Sequence, residues 1–274
     1  MSTRETTVNT HCQTCPAYQN AKLHRLGIDV SNFDYAIALA GNPNTGKSTL
    51  FNAMTGLRQH VGNWTGKTVA RAEGAYNFNG KNYKVVDLPG TYSLLSTSQD
   101  EEIARDFILF GQPNATVVVV DATRLERNLN LTLQILEITD RVVVALNLID
   151  EAERHGLQID VRALSKQLGV PVVPMVARKG VGLEDLLGNI EAVITGQYVT
   201  RPHRVKHYDP RLEKAISQLA TQLEDQFPGL PNTRWVALRL LDGDPSIEQA
   251  VREGTLGELS GVGRSDEVLM LQTA

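Results

Sequence analysis

Ala36-Ile37-Ala38-Leu39-Ala40-Gly41-Asn42-Pro43-Asn44-Thr45-Gly46-Lys47-Ser48-Thr49 is the stretch from which the rest of the chain can be read. A short apolar run of strand character leads into G-x-x-x-x-G-K-[ST], and a helical pattern starts at Ser48. Glycines there let the backbone curl so that its N–H groups and a helix N-terminus face phosphate oxygens. In such a loop Lys47 neutralises the β and γ phosphates and the Ser48 hydroxyl ligates Mg²⁺, with Gly41, Asn42, Asn44, Thr45, Gly46 and Thr49 completing the cradle. The bland alternative is a Gly-rich turn with an accidental Lys-Ser, and strand-before, helix-after placement weighs against it.

Working outward, apolar runs alternate with helical patterns. Residues 116–120 precede a helix at 125–138, 142–146 precede one at 161–168, and 172–174 precede one at 183–194. That alternation predicts an α/β fold with a mostly parallel sheet and helices on both faces. Val69 to Phe78 and Tyr83 to Val86 flank Asn79-Gly80, a type I′ turn pair, so one antiparallel hairpin should add an edge strand. Residues 1–34 are polar and aperiodic and read as a flexible tail, and a first domain spans 35–197. Past it, Leu212, Ile216, Leu219, Leu223 and Phe227 mark one helix face behind an Asp209-Pro210 cap. Trp235, Leu238 and Leu241 continue the pattern, and Asp244-Pro245 opens a further helix. The expectation for 198–274 is a small all-helical domain with a polar end, too small to be stable without packing on its neighbour.

Composition narrows the class. The chain has 274 residues, 42% hydrophobic and 21% charged, with 27 basic and 31 acidic side chains giving −4. That profile excludes collagen, coiled coil and wholesale disorder, and gives no global reason to bind nucleic acid. The most apolar stretch, around 115–120, falls far short of the ~20 residues needed to span a bilayer. Two cysteines, Cys12 and Cys15, do not make a secreted disulfide scaffold, and a cytoplasmic location is expected.

Two further motifs follow in chain order. Asp87-Leu88-Pro89-Gly90 closes the hairpin's second strand, where the carboxylate can hold a Mg²⁺ hydration shell and the Gly90 N–H can meet a γ phosphate. Asn147-Leu148-Ile149-Asp150 follows a strand, and an Asp there can accept both N1–H and N2–H of guanine, a pairing adenine cannot return. The ligand expected is therefore GTP or GDP, and the reaction is phosphoryl transfer to water.

This ordered set resembles the Ras-like, translation-factor-related GTPases, and the Asn44-containing loop resembles their potassium-responsive subset. Asn63-Trp64-Thr65-Gly66-Lys67-Thr68-Val69, the run from Asp87 to Leu94, Asp100-Glu101-Glu102 and the run from Arg234 to Asp244 narrow the likeness. Together they look like the cytoplasmic G domain and helical domain of the bacterial ferrous-iron transporter B (FeoB) family, over about residues 35 to 250. The resemblance implies a switch I near Leu57 to Val69, with Thr68 meeting Mg²⁺ and the γ phosphate, and a switch II beginning at Gly90. It implies K⁺ held at Asn44, and a helical domain that tunes GDP release. Other implied partners are the membrane permease part of the same full-length chain, small iron-transport accessory proteins and a second G domain. The chain would then be a soluble fragment at the cytoplasmic face of the bacterial inner membrane.

Departures from the family pattern are specific. Thr91 stands where Ras-like proteins carry a water-orienting Gln, so slow turnover is expected, at or below the order of 10⁻³ to 10⁻² s⁻¹. Thr65 replaces the usual Pro, which loosens switch I. Val176-Ala177-Arg178 matches the base-contacting S-A-x motif without its serine, leaving the Ala177 N–H for guanine O6. His11, Cys12 and Cys15, with His24 as a conceivable fourth ligand, read as tail rather than a metal site. Trp64 reads as a hydrophobic anchor. Asp100, Glu101, Glu102 and Arg105 read as a solvated helix start, and His203, Arg204, Lys206 and His207 as a solvated linker. A stand-alone GTPase acting in RNA modification or ribosome assembly is the alternative, disfavoured because 209–274 holds more acid than base.

Overall fold

The computed structural model describes residues 22–56, 59–64, 67–95, 98–204 and 209–256. Cys12, Cys15 and His11 lie outside the described residues. The elements run β1 (Tyr35–Gly41), α1 (Lys47–Thr55), β2 (Gln59–Asn63), β3 (Ala70–Phe78), β4 (Lys81–Asp87), α2 (Gln99–Asp106), a π-helical turn (Phe107–Gly111) and β5 (Ala115–Asp121). They continue as α3 (Leu125–Ile138), β6 (Val142–Asn147), α4 (Ile149–Arg154), α5 (Val161–Leu168), β7 (Val172–Pro174), α6 (Leu183–Ile194), α7 (Pro210–Gln226), α8 (Thr233–Leu241) and α9 (Pro245–Arg252).

The seven strands form one sheet in the order β2-β3-β4-β1-β5-β6-β7. β1, β4, β5, β6 and β7 are mutually parallel, while β3 pairs antiparallel with both β2 and β4. The hairpin turns at Asn79 and Gly80, both with positive φ (49° and 75°), the backbone that a type I′ turn demands. The hairpin does not end the sheet as expected, because β2, inside the segment read as switch I, lies outside β3.

Period-two alternation along β1 separates two cores. Ile37 and Leu39 join Leu50, Phe51, Leu186 and Ile190 on the face covered by α1 and α6. Ala36, Ala38 and Ala40 face a second cluster with Phe107, Leu131, Ile135 and Leu164. This second cluster extends into the helical region through Ile216, Trp235 and Val236, so the small C-terminal unit shares a core with its neighbour, as its size required. Its helices are capped as read: Asp209 accepts from the Arg211 N–H and Asp244 from those of Ser246 and Ile247.

Two expectations change. The segment from 22 to 34 is not a tail, since Leu23, Ile28 and Val30 are buried in the larger core. Its apolar residues are too irregularly spaced to advertise a buried face. Glu101 and Arg105 are also buried rather than solvated: Glu101 accepts from the Ser93 hydroxyl at 2.8 Å, and Arg105 donates to Ser246 of the helical region. His203 and Arg204 are exposed, as expected of a solvated linker, and also touch the body: His203 Nδ1 lies 2.7 Å from the Gln167 carbonyl oxygen, and Arg204 donates to the Leu136 carbonyl and pairs with Asp140, while Lys206 and His207 lie outside the described residues.

Candidate nucleotide-binding site

The site forms where the chain changes direction across the sheet, with β4 on one side of β1 and β5 on the other. In such a fold the crevice beyond the carboxyl ends of the strands collects the loops that can hold a ligand. Register brings Leu39 opposite Asp87, Gly41 opposite Val119, and Asp121 opposite Asn147. The three sequence motifs therefore emerge at one end of one sheet.

The loop from Gly41 to Gly46 is braced from within. The Thr45 hydroxyl donates to the Asn42 carbonyl at 3.0 Å, and both residues are buried. Asn42 Nδ2 is buried with no partner among the described residues. Asn44 stands exposed in a left-handed conformation, φ 65°, and Ser48 and Thr49 are exposed in the first turn of α1. Gly46 has φ 84°, and a Cβ there would come within 2.3 Å of Asn147 Nδ2. A glycine is required at that position by both conformation and space.

Lys47 Nζ donates to Asp87 Oδ1 at 2.5 Å, joining the first motif to the second. Burial pushes the Asp87 carboxyl above its usual range, and Lys47 opposes that shift only in part. Gly90 lies against the first loop, since a Cβ placed on it would be 3.4 Å from the Pro43 backbone. Thr91 is buried, and the Leu94 N–H donates to Gln134 Oε1 at 2.7 Å, holding the following segment on α3. Thr68 is exposed in the turn between β2 and β3, which the Trp64 N–H closes onto the Val69 carbonyl at 3.0 Å. Trp64 is buried edge-on against Phe107, with ring centroids 5.5 Å apart, and Arg71 stands over its indole: an anchor, as read.

The third motif divides into two roles. Asn147 is 1% exposed, and its amide is engaged at both ends: Nδ2 donates to the Thr45 carbonyl and Oδ1 accepts the Ala177 N–H, each at 2.9 Å. It ties the first loop to the loop after β7. The Ala177 N–H, expected to face guanine O6, is thus given to Asn147. Asp150 is partly exposed beside it. Its Oδ2 accepts from Arg178 Nη2 and Lys179 Nζ, each at 2.9 Å, while its Oδ1 is buried without a partner among the described residues. Hydrogen bonds from Lys179 and then Arg178 bring its carboxyl down to about 2. Arg178 and Lys179 carried no site role in the sequence reading. Two adjacent cations after Val176-Ala177 were visible, but their partner lies 28 and 29 positions away.

Residues 35–190 match the family described as ferrous iron transport protein B, and residues 208–263 match the FeoB cytosolic helical domain. The Fe(2+) transporter FeoB of Escherichia coli K12 is 45% identical over 212 residues, 76% of this chain and 27% of the relative. The chain thus spans about a quarter of the length of the curated relatives it matches. Among solved structures, the cytosolic domain of T. maritima FeoB in a GDP form is 39% identical with TM-score 0.72, covering 85% of this chain and 88% of that one. The cytosolic domain of L. pneumophila FeoB is 34% identical with TM-score 0.72, covering 85% and 90%. With three nucleotide motifs joined at one sheet end and a helical unit that matches in its own right, this chain belongs to the ferrous iron transport protein B family.

Proposed function

We propose that this chain binds GTP and hydrolyses it to GDP and phosphate, as the nucleotide switch of a ferrous-iron transporter. The observation that carries this reading is the physical joining of its motifs: Lys47 to Asp87, and Asn147 to Thr45. The T. maritima relative in a GDP form supports the ligand class. The matched helical family supports the transport assignment over an RNA-directed GTPase.

In this reading residues 35–197 form the G domain and 198–274 the helical domain. The backbone from Gly41 to Gly46 and the N-terminus of α1 surround the phosphates, Lys47 draws their charge, and the Gly90 N–H meets the γ phosphate. Asp150 reads guanine above the loop of Val176 and Ala177. The donors Ser48, Thr68 and Asp87 are hard oxygens of the kind Mg²⁺ takes, and Asn44 offers an amide oxygen suited to K⁺. Once bound, these cations would neutralise charge on the phosphate oxygens. Lys47 pairs with Asp87 at 2.5 Å, and a bound phosphate would offer Lys47 a second anion. Thr91, buried and short, does not orient water as a Gln at that position would, so turnover is slow, at or below the order of 10⁻³ to 10⁻² s⁻¹ without assistance. By likeness to its relatives, the G domain acts at the cytoplasmic face of the bacterial inner membrane. Its partners there are the permease part of a longer chain, small accessory proteins and a second G domain.

The test is GTP hydrolysis in K⁺ against Na⁺ for the wild type and Asn44→Ala, with ATP as competitor. K⁺ should accelerate the wild type and leave the variant unchanged, and ATP should not compete. Equal rates in both salts would remove the cation role, and competition by ATP would remove the guanine reading.

A further inference from the structure

An ionised carboxylate has about four lone-pair sites, two on each oxygen. At Asp150 they are unequally used. Oδ2 is filled by the Arg178 guanidinium and the Lys179 ammonium, each at 2.9 Å, whereas Oδ1 is buried and accepts nothing among the described residues. Arg178 extends the grip to the next side chain, with Nη1 3.7 Å from Glu151. Both cationic side chains are about half exposed, so the pairs can be opened without unfolding the loop. Guanine presents two parallel donors, N1–H and the 2-amino group, and a bidentate pairing asks one acceptor from each oxygen. One of those oxygens is already occupied.

We propose that Arg178 and Lys179 form a latch that competes with the guanine 2-amino group for Asp150 Oδ2. They are positioning residues acting through that carboxylate. The inference rests on the reading of Asp150 as the base contact and adds a consequence. N1–H reaches the covered Oδ1 only after the base displaces what lies over it, a cost shared by every base that carries N1–H, and a base lacking the 2-amino group then leaves the latch shut. Guanine must open it to gain its second hydrogen bond, so that bond's benefit is partly cancelled.

The experiment compares equilibrium binding of GDP, inosine diphosphate and ADP to the wild type, to the double variant Arg178→Ala/Lys179→Ala, and to the charge-preserving Arg178→Lys/Lys179→Arg. Inosine diphosphate differs from GDP only by lacking the 2-amino group. Loss of two cations also weakens attraction for any diphosphate, but equally for GDP and inosine diphosphate, so their ratio isolates the base contact. In the wild type GDP should be preferred by only about 3-fold. In the double alanine variant, where the bond to the charged oxygen is fully available, the preference should widen to about 10-fold or more. The charge-preserving variant should keep the narrow ratio. A ratio that stays constant or shrinks on removing the cations overturns the latch alone. ADP binding as tightly as GDP to the wild type overturns the base-site reading and the latch with it.

Discussion

At the scale of single residues, Asn147 has the widest structural reach in the site. Its amide bridges the carbonyl of Thr45 and the N–H of Ala177, two loops separated by more than a hundred positions, from a site with 1% exposure. Removing it leaves a buried acceptor and a buried donor unsatisfied, each costing about 1–3 kcal/mol. Asn147→Ala should therefore lower stability by about 2–4 kcal/mol, read as a shift in the urea midpoint, and should also weaken GDP binding. Stability unchanged by the substitution would mean that the two loops hold their places independently. Asp87 makes a prediction in pH. Its carboxyl is raised above the usual range by burial, so the folded state binds the proton more tightly than the unfolded chain does. Its contribution to the stability of the nucleotide-free protein therefore falls as pH rises from the ordinary carboxylate range through the raised value. Urea midpoints measured across weakly acidic pH should decline less steeply in Asp87→Asn, and equal slopes would show that the Lys47 pair cancels the effect of burial.

At the scale of elements, the residue that follows β2 and the π-helical turn that extends α2 meet through aromatic packing. Trp64 follows β2 directly, and its indole lies edge-on to Phe107, the first residue of the π-helical turn that extends α2. A π turn is uncommon and recurs where a helix must re-aim side chains at a functional site. Here all five of its residues are buried. Trp64→Ala should cost about 3–5 kcal/mol of stability, while Trp64→Phe, which keeps an aromatic edge contact, should cost clearly less. Equal losses for the two would show that a phenyl ring does not keep the edge contact with Phe107. The element also explains a limit of the sequence reading. Phe107-Ile108-Leu109-Phe110 is apolar throughout and has no helical or strand period, so pattern alone could not assign it.

At the scale of the whole molecule, the two parts of the chain are joined by buried charge as well as by a shared core. Arg105, at the end of α2, donates to Ser246 at 3.0 Å and lies 3.7 Å from Asp244, whose side chain is fully buried at the N-cap of α9. Arg239 approaches the same Asp244 oxygen at 3.1 Å, and Asp106 pairs with Arg105 at 2.8 Å. Asn232 adds two hydrogen bonds to the carbonyls that end α3. Removing one member of a buried charged group leaves the others uncompensated, which costs about 3–5 kcal/mol. Arg105→Ala should accordingly destabilise the chain by that order and loosen the helical region first, visible as faster amide hydrogen exchange across α9. Exchange that quickened uniformly would argue that the two regions unfold as one body.

Elements and chemistry that depend on neighbours along the chain were legible from residue order alone. The loop before α1, the turn at Asn79 and Gly80, and the Asp209 and Asp244 caps are local, because a glycine, an N-cap or a strand period acts within a few residues. The bounds of α5, β7 and α6 follow for the same reason. The rest depends on partners distant in sequence. The burial of Leu23, Ile28 and Val30, the outer place of β2, the inward turn of Arg105, the bridge made by Asn147 and the filling of Asp150 Oδ2 all belong here. Charge and apolarity were legible at each of these positions. Their consequences were not, because a charge acts through whatever the fold brings within a few ångströms of it, and no local pattern encodes that distance.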